Sequence, residues 1–165
     1  MRVLVDGNNV MGALAAECVD AGRSMLCELL ERFVDRVGGD VTVVFDGPPR
    51  RGDRARQAEA SPVTVLYGVD RTADDVLVER IRADSAPRRL TVVSTDRLIR
   101  REAGKRRCRV LRAEPFARRL LAPPTPAPAP DEPAAKMHGL ADEDDAAHWL
   151  EQFDVSDEGD VEPLS

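Results

Sequence analysis

Asp6, Asp46, Asp74 and Asp96 are the residues of this chain whose type and placement could do chemistry. Three of them close short apolar, β-branched runs: Arg2–Val5 runs into Asp6, Val41–Phe45 into Asp46, and Leu90–Val93 into Ser94-Thr95-Asp96. Asp74 falls in the first turn of a segment with helical spacing, with Asp75 beside it. Carboxylates gathered at one place repel one another and raise each other's pKa unless a cation joins them. Mg2+ and Mn2+ are the natural partners, because both prefer oxygen ligands. Such an ion activates water and offsets charge on a phosphodiester under attack. Any one of these aspartates also has a structural explanation as a helix cap or turn former. Their convergence on one edge is what favours chemistry. Asp75 reads as structural, since neighbouring helix positions point about 100° apart and only one of the pair can face a common site.

The elements that must position these acids alternate between strand and helix. Helical spacing over Ser24–Val37 brings Met25, Leu26, Leu29, Leu30, Phe33, Val34 and Val37 to one side, and Gly38-Gly39 ends it. Val63–Tyr67 reads as a third strand. Thr72 is an N-cap for a helix over Ala73–Ala83 that buries Val76, Leu77, the stem of Arg80 and Ile81. Helices are also expected over Arg97–Ala103 and Glu114–Leu121, with a strand at Cys108–Leu111 between them. Alternation of this kind implies an α/β fold, a Rossmann-like three-layer α/β/α arrangement around a central, mainly parallel sheet. Ligands of such sheets bind beyond the carboxyl ends of the strands, where the aspartates fall. The connection between Val41–Phe45 and Val63–Tyr67 is an arginine-rich loop opened by Pro48 and Pro49, and it is the weakest point of the topology.

Other sites match poorly. Gly7-Asn8-Asn9 does not supply the G-x-G-x-x-G of a dinucleotide fold, and no P-loop sequence occurs. A haloacid-type phosphoaspartate hydrolase needs an aspartate where Asn8 stands, and a receiver domain needs an acidic pair at the first strand end. No serine or cysteine lies beside a credible histidine. Cys18, Cys27 and Cys108 are far apart and read as reduced, packed thiols.

Asp6-Gly7-Asn8-Asn9, Phe45-Asp46-Gly47, Thr72-Ala73-Asp74 and Val92-Val93-Ser94-Thr95-Asp96, in that order, resemble the NYN domain, and most closely its YacP-like branch, relatives of the PIN-domain nucleases. The resemblance runs from Arg2 to about Leu121. It implies a PIN-like fold and Mg2+- or Mn2+-dependent endoribonuclease activity, and some YacP-like proteins act on mRNA at the ribosome. Carried over by motif, Asp6, Asp74 and Asp96 would be the main metal ligands. Asp46 would be a further acidic member, directly or through water. Asn9 would orient Asp6 or a phosphate. Asn8 stands where the family often has tyrosine or another residue, and the resemblance gives it no role.

Charge divides the chain. Residues 1–122 carry a net +5, and residues 123–165 a net −11. The basic part suits a polyanion. Arg50, Arg51, Arg54 and Arg56 follow Asp46, and Arg97, Arg100 and Arg101 follow Asp96, with Lys105, Arg106, Arg107 and Arg109 beyond; both groups are candidates to grip an RNA backbone. Aromatic residues are too few for base stacking to dominate. The domain plan is therefore a nuclease domain over 1–122, a proline-rich linker over 123–136, and a disordered acidic tail over 137–165 with a short helix near 140–153. That tail either solubilises the chain or docks, through the face of Trp149, on a protein partner or on the basic core. No run is long enough to span a membrane, and the N-terminus does not read as a signal peptide, so a cytoplasmic address is expected. The competing functions are a non-catalytic RNA- or ribosome-binding module and a metal-dependent phosphatase or 5′-nuclease.

Overall fold

The computed structural model describes residues 1–18, 21–50 and 61–123. Its elements in order are β1 (Arg2–Asp6), α1 (Gly7–Ala15), α2 (Arg23–Val37), β2 (Asp40–Asp46), β3 (Val63–Gly68), α3 (Ala73–Ala83), β4 (Leu90–Val93), α4 (Arg97–Lys105), β5 (Arg109–Leu111) and α5 (Ala113–Leu121). The strands form one sheet in the order β3-β2-β1-β4-β5, parallel at every pairing. β1 is central, with Val3 opposite Val41 on one side and Thr91 on the other. All five strands therefore present their carboxyl ends at one edge. The α/β expectation holds, and β2 and β3, whose connection was the weakest point of the topology, also pair in parallel.

Alternation along the strands divides the core into two layers. Leu4, Val44 and Val92 turn toward α3 and α4 and pack with Val76, Leu77, Ile81, Ile99 and Ala103. On the other side α1, α2 and α5 pack together, and Phe33 of α2 meets Phe116 of α5 edge to face, with centroids 5.6 Å apart. Cys27 and Cys108 are buried and form no disulfide among the described residues, as packed thiols should.

Two expectations need correction. α1 was not anticipated, because Asn8, Asn9 and Gly12 are weak helix formers. It forms because Asp6 caps it and Val10 and Leu14, one turn apart, are wholly buried. Arg80 is exposed, whereas Ala73, Val76, Leu77 and Ile81 carry the buried stripe of α3. Its place in the last turn lies beside a small open cavity lined by Arg2, Val3, Leu4, Asp84 and Leu90, where an exposed guanidinium reaches water.

Two glycines allow helices to start hard against the sheet. A Cβ at Gly7 would lie 2.8 Å from the Val44 carbonyl oxygen and closer still to the Phe45 ring. A Cβ at Gly68 would lie 2.9 Å from the Ala73 nitrogen. Only glycine lets α1 and α3 begin this close to the carboxyl edge.

The chain divides into two units, Met1–Pro133 and Ala134–Ser165. The second unit lies outside the described residues, as does most of the expected linker, so the acidic tail and its helix are not addressed by the structure. Among the described residues no helix is long and apolar enough to cross a membrane.

Candidate active site

Asp6 ends the central strand and is 1 % exposed. Its Oδ1 accepts the Asn9 backbone N–H at 3.1 Å, which caps α1. Its Oδ2 accepts from Asn9 Nδ2 at 2.6 Å and from the Ser94 hydroxyl at 2.9 Å. Burial pushes the Asp6 carboxyl above the usual range, these three bonds pull it back, and the charge of Asp46 adds to the rise. Ser94 is itself fully buried, and its oxygen also accepts the Asp96 N–H at 3.0 Å. One hydroxyl thus ties Asp6 to the segment carrying Asp96. Asp96 caps α4, with Oδ1 accepting from Leu98 and Ile99 N–H at 2.8 and 3.1 Å.

Asp74 differs from the other three. Partial burial is the first cause of its raised pKa, followed by the charges of Asp6, Asp96, Asp46 and Asp75. No hydrogen bond from a described residue offsets them. The structure therefore brings Asp6, Asp46, Asp74 and Asp96 to one edge of the sheet. Asp75 belongs to a capping box with Thr72, which is the structural role expected of it.

Asn9 does more than orient Asp6, since its Oδ1 accepts the Thr95 N–H at 3.3 Å. It spans the ends of β1 and β4. Sequence reasoning missed four further residues here. Thr95 receives the Ala113 N–H at 3.3 Å and donates to Glu114 at 3.2 Å, adding an acid at the rim. Asn8 donates to Asp46 Oδ2 at 2.6 Å. Arg23 stacks over the Phe45 and Tyr67 rings and donates to the carbonyls of Asp46 and Pro48. The hydroxyls of Ser94-Thr95 just before Asp96 were a legible signal. Nothing local marks Glu114 or Arg23, which reach the edge from other elements.

The donor chemistry suits a hard divalent cation: four carboxylates, no thiolate and no imidazole among them. A carboxylate oxygen that accepts one hydrogen bond keeps a second lone pair for an ion. As placed, however, no three acidic, histidine or cysteine side chains among the described residues stand close enough to hold one ion. Asp6 and Asp96 turn toward their own helix N-termini, and Asp46 toward α3.

The basic residues separate into groups. Arg97 and Arg101 are exposed on α4, and Arg97 directly follows Asp96. Arg100 is half-buried, and its Nε is enclosed without a hydrogen-bond partner among the described residues. Arg50 is exposed, whereas Arg51, Arg54 and Arg56 lie outside the described residues. Lys105 and Arg106 are committed elsewhere, to Glu102 and to the Asp84 carbonyl at the far end of α4.

The model of the YacP-like NYN domain matches residues 3–127. The chain belongs to the YacP-like NYN domain family. Among solved structures it is similar to Rae1 (YacP) from Bacillus subtilis, with 22 % identity, a TM-score of 0.59, and 73 % of this chain and 74 % of that one covered. The W164L mutant of the same protein matches at 21 % identity and a TM-score of 0.55, with the same coverage. At these identities the likeness shows the fold. No curated protein matches the chain. Membership in the YacP-like NYN family implies a nuclease-type, RNA-related function and suggests a hydrolase of the endoribonuclease class.

Proposed function

We propose that the chain is a Mg2+- or Mn2+-dependent endoribonuclease that hydrolyses RNA phosphodiester bonds at the carboxyl edge of its sheet. The observation that carries this reading is the gathering of acids at the carboxyl edge: the Ser94 hydroxyl ties Asp6 to the segment carrying Asp96, and Asp74 stands near enough that, after burial, the charges of Asp6, Asp96 and Asp46 raise its carboxyl with no described hydrogen-bond donor to relieve it. In a nuclease-family domain, that is a set of acids suited to a cation. Asp6, Asp74 and Asp96 would hold it. A bound divalent ion supplies Lewis-acid charge for the attacking water and for the oxygens of the phosphoryl group.

The chain's own residues do the rest. Asn9 and Ser94 fix Asp6 through both carboxylate oxygens, and Ser94 holds the Asp96 backbone in step with it. Arg97 and Arg101, with Arg50 across the edge and Arg100 behind, would pair with backbone phosphates and set the strand over the acids. Hydrolysis forms one P–O bond to water and breaks one ester P–O bond, and the departing oxygen takes a proton. Action in the cytoplasm on mRNA at the ribosome is the finer form of this reading. It rests on family resemblance and is tested by co-sedimentation of the protein with ribosomes.

A non-catalytic RNA-binding module is the second reading, favoured by the spacing of the acids, no three of which meet at one point. One assay separates the two. Structured RNA, single-stranded RNA, DNA and a phosphomonoester are each incubated with Mn2+ or with EDTA. Cleavage of RNA alone, abolished by EDTA, is expected. RNA that is bound and left intact would favour the binding module, and turnover of the monoester would reassign the substrate. A readout independent of turnover is thermal unfolding with Mn2+ alone, since an ion held only by the folded state raises the midpoint.

A further inference from the structure

Asp6 and Asp96 cap the helices that directly follow them in the chain, whereas Asp46 bonds to two helices from elsewhere in it. Both of its carboxylate oxygens are taken by strong donors: Oδ1 accepts the Ala73 N–H at 2.7 Å and Oδ2 accepts Asn8 Nδ2 at 2.6 Å. Ala73 is the first residue of α3, and its N–H belongs to the set that a helix leaves without an internal partner. The cap residue Thr72 serves Asp75 N–H, so its hydroxyl is committed. Asp46 is what satisfies Ala73, a residue 1 % exposed. Asp74 is the next residue along.

The backbone of Asp46 is fixed as well. Arg23 donates to its carbonyl and to that of Pro48, while its guanidinium lies 5.1 Å from the Phe45 ring centroid and 5.6 Å from that of Tyr67. Arg23 begins α2 and Asn8 lies in α1, so three helices meet at the end of β2. Asn8 comes from the same turn as Asn9, and the two amides divide the work: Asn9 serves Asp6, Asn8 serves Asp46.

We infer that Asp46 is a tether and not an ion ligand: with Asn8 and Arg23 as positioning residues, it fixes the first turn of α3 and so sets Asp74 against Asp6 and Asp96. A carboxylate bridging a helix N-terminus and a side-chain amide is in its favoured electrostatic setting. The tether makes Asn8 meaningful, a residue for which family resemblance offered no role. The consequences for cleavage rest on the nuclease reading above, whereas those for α3 do not.

Asparagine at position 46 separates tether from ligand. Its Oδ1 still accepts from Ala73, and Asn8 can turn its amide so that Oδ1 receives the new Nδ2–H. The bonds persist and the charge is gone. Three variants of the full chain, Asp46→Asn, Asp46→Ala and Asn8→Ala, are compared with wild type in three measurements: exchange of the Ala73 amide by NMR, RNA cleavage, and the Mn2+ concentration giving half-maximal rate. The tether predicts that Asp46→Asn keeps Ala73 protection and stays within about threefold of wild type in rate and Mn2+ requirement, while Asp46→Ala speeds exchange and slows cleavage by about tenfold or more, with Asn8→Ala between them. If Asp46→Asn loses as much activity as Asp46→Ala and needs at least about tenfold more Mn2+, Asp46 is an ion ligand and the inference is overturned. Unchanged Ala73 exchange in Asp46→Ala overturns it too, whatever the cleavage rates. Should wild type cleave no RNA, the nuclease reading fails, and Ala73 exchange alone still decides the tether.

Discussion

Acids gather at both ends of this sheet, and they are treated in opposite ways. Toward the amino edge, Asp84 is 8 % exposed and forms an ion pair with Arg2 from the start of β1. Nearby, Glu102 is 5 % exposed and sits between Arg82 at 2.8 Å and Lys105 at 2.6 Å. Bonds from these cations hold its carboxyl down to about 2. At the carboxyl edge the described partners of Asp6, Asp46 and Asp96 are neutral: asparagine amides, a serine hydroxyl and backbone N–H groups. The chain has arginines to spare, with Arg97 and Arg101 close by, yet no ion pair is formed with these acids among the described residues. Acids that only hold the fold together are neutralised within the chain. Those at the carboxyl edge are oriented by neutral donors and have no cationic partner among the described residues.

The contrast can be broken most forcefully at Asp96. Asp96→Asn keeps an oxygen to cap α4 and removes the charge, so cleavage should fall by at least about a thousandfold with the fold intact. Wild-type turnover by the purified variant in Mn2+, with an unchanged circular dichroism spectrum, would refute its role.

Asp74→Asn sharpens the contrast because stability and activity should move in opposite directions. The carboxyl of Asp74 is raised in the folded state, so its favourable contribution exists below the unfolded pKa and is lost as pH rises through the folded one. At neutral pH its charge is a burden on the fold. The variant should lose cleavage and unfold at a higher temperature than wild type in EDTA. Mn2+ should raise the midpoint of wild type and barely affect the variant. A lower midpoint for Asp74→Asn in EDTA would mean that the acids do not strain one another.

Glu102→Gln probes the other end, where the sign reverses. A depressed carboxyl stabilises the fold above its ordinary value of 4.5 and loses that contribution as pH falls toward about 2. Chemical denaturation at pH 7 should show the variant less stable than wild type, with the two converging in acid. RNA cleavage should be unaffected. The smallest effect is expected at Arg97→Ala. RNA affinity should weaken, and the slope of log affinity against log salt should fall by about 0.7 for each phosphate of single-stranded RNA that is no longer neutralised. An unchanged slope would remove Arg97 from the RNA surface.

Most of the architecture was legible because each strand is a compact β-branched run and each longer helix has an apolar stripe. α3 was legible too, since Thr72 caps it and Val76, Leu77 and Ile81 mark its buried side. α1 was not, because its formation depends on Asp6 and on the fit of Gly7 against Val44 and Phe45, both tertiary facts. The four aspartates were readable from their places at strand and helix ends. What was hidden is how each is held. Asn8 and Asn9 are adjacent and alike in sequence, yet they serve acids on different strands, and only packing reveals which. Arg23 is far from Asp46 in sequence and reaches it across two rings. The physical cause is the same in each case: spacing along a chain encodes which side of an element a residue takes, and not which neighbour it meets.

The central position of β1 has a consequence for how the protein comes into being. β1 is synthesised before both strands that flank it, β2 and β4, and Asp6 needs Ser94 for one of its bonds. A nascent chain that has emerged only as far as α3 can have Asp6, Asn8, Asp46 and Asp74 in hand, but neither Ser94 nor Asp96. Pairings between segments so distant in the chain form late in folding. The acidic edge therefore completes itself only once β4 has docked, so an unfinished chain carries an incomplete set of acids while it is still attached to the machinery that makes it.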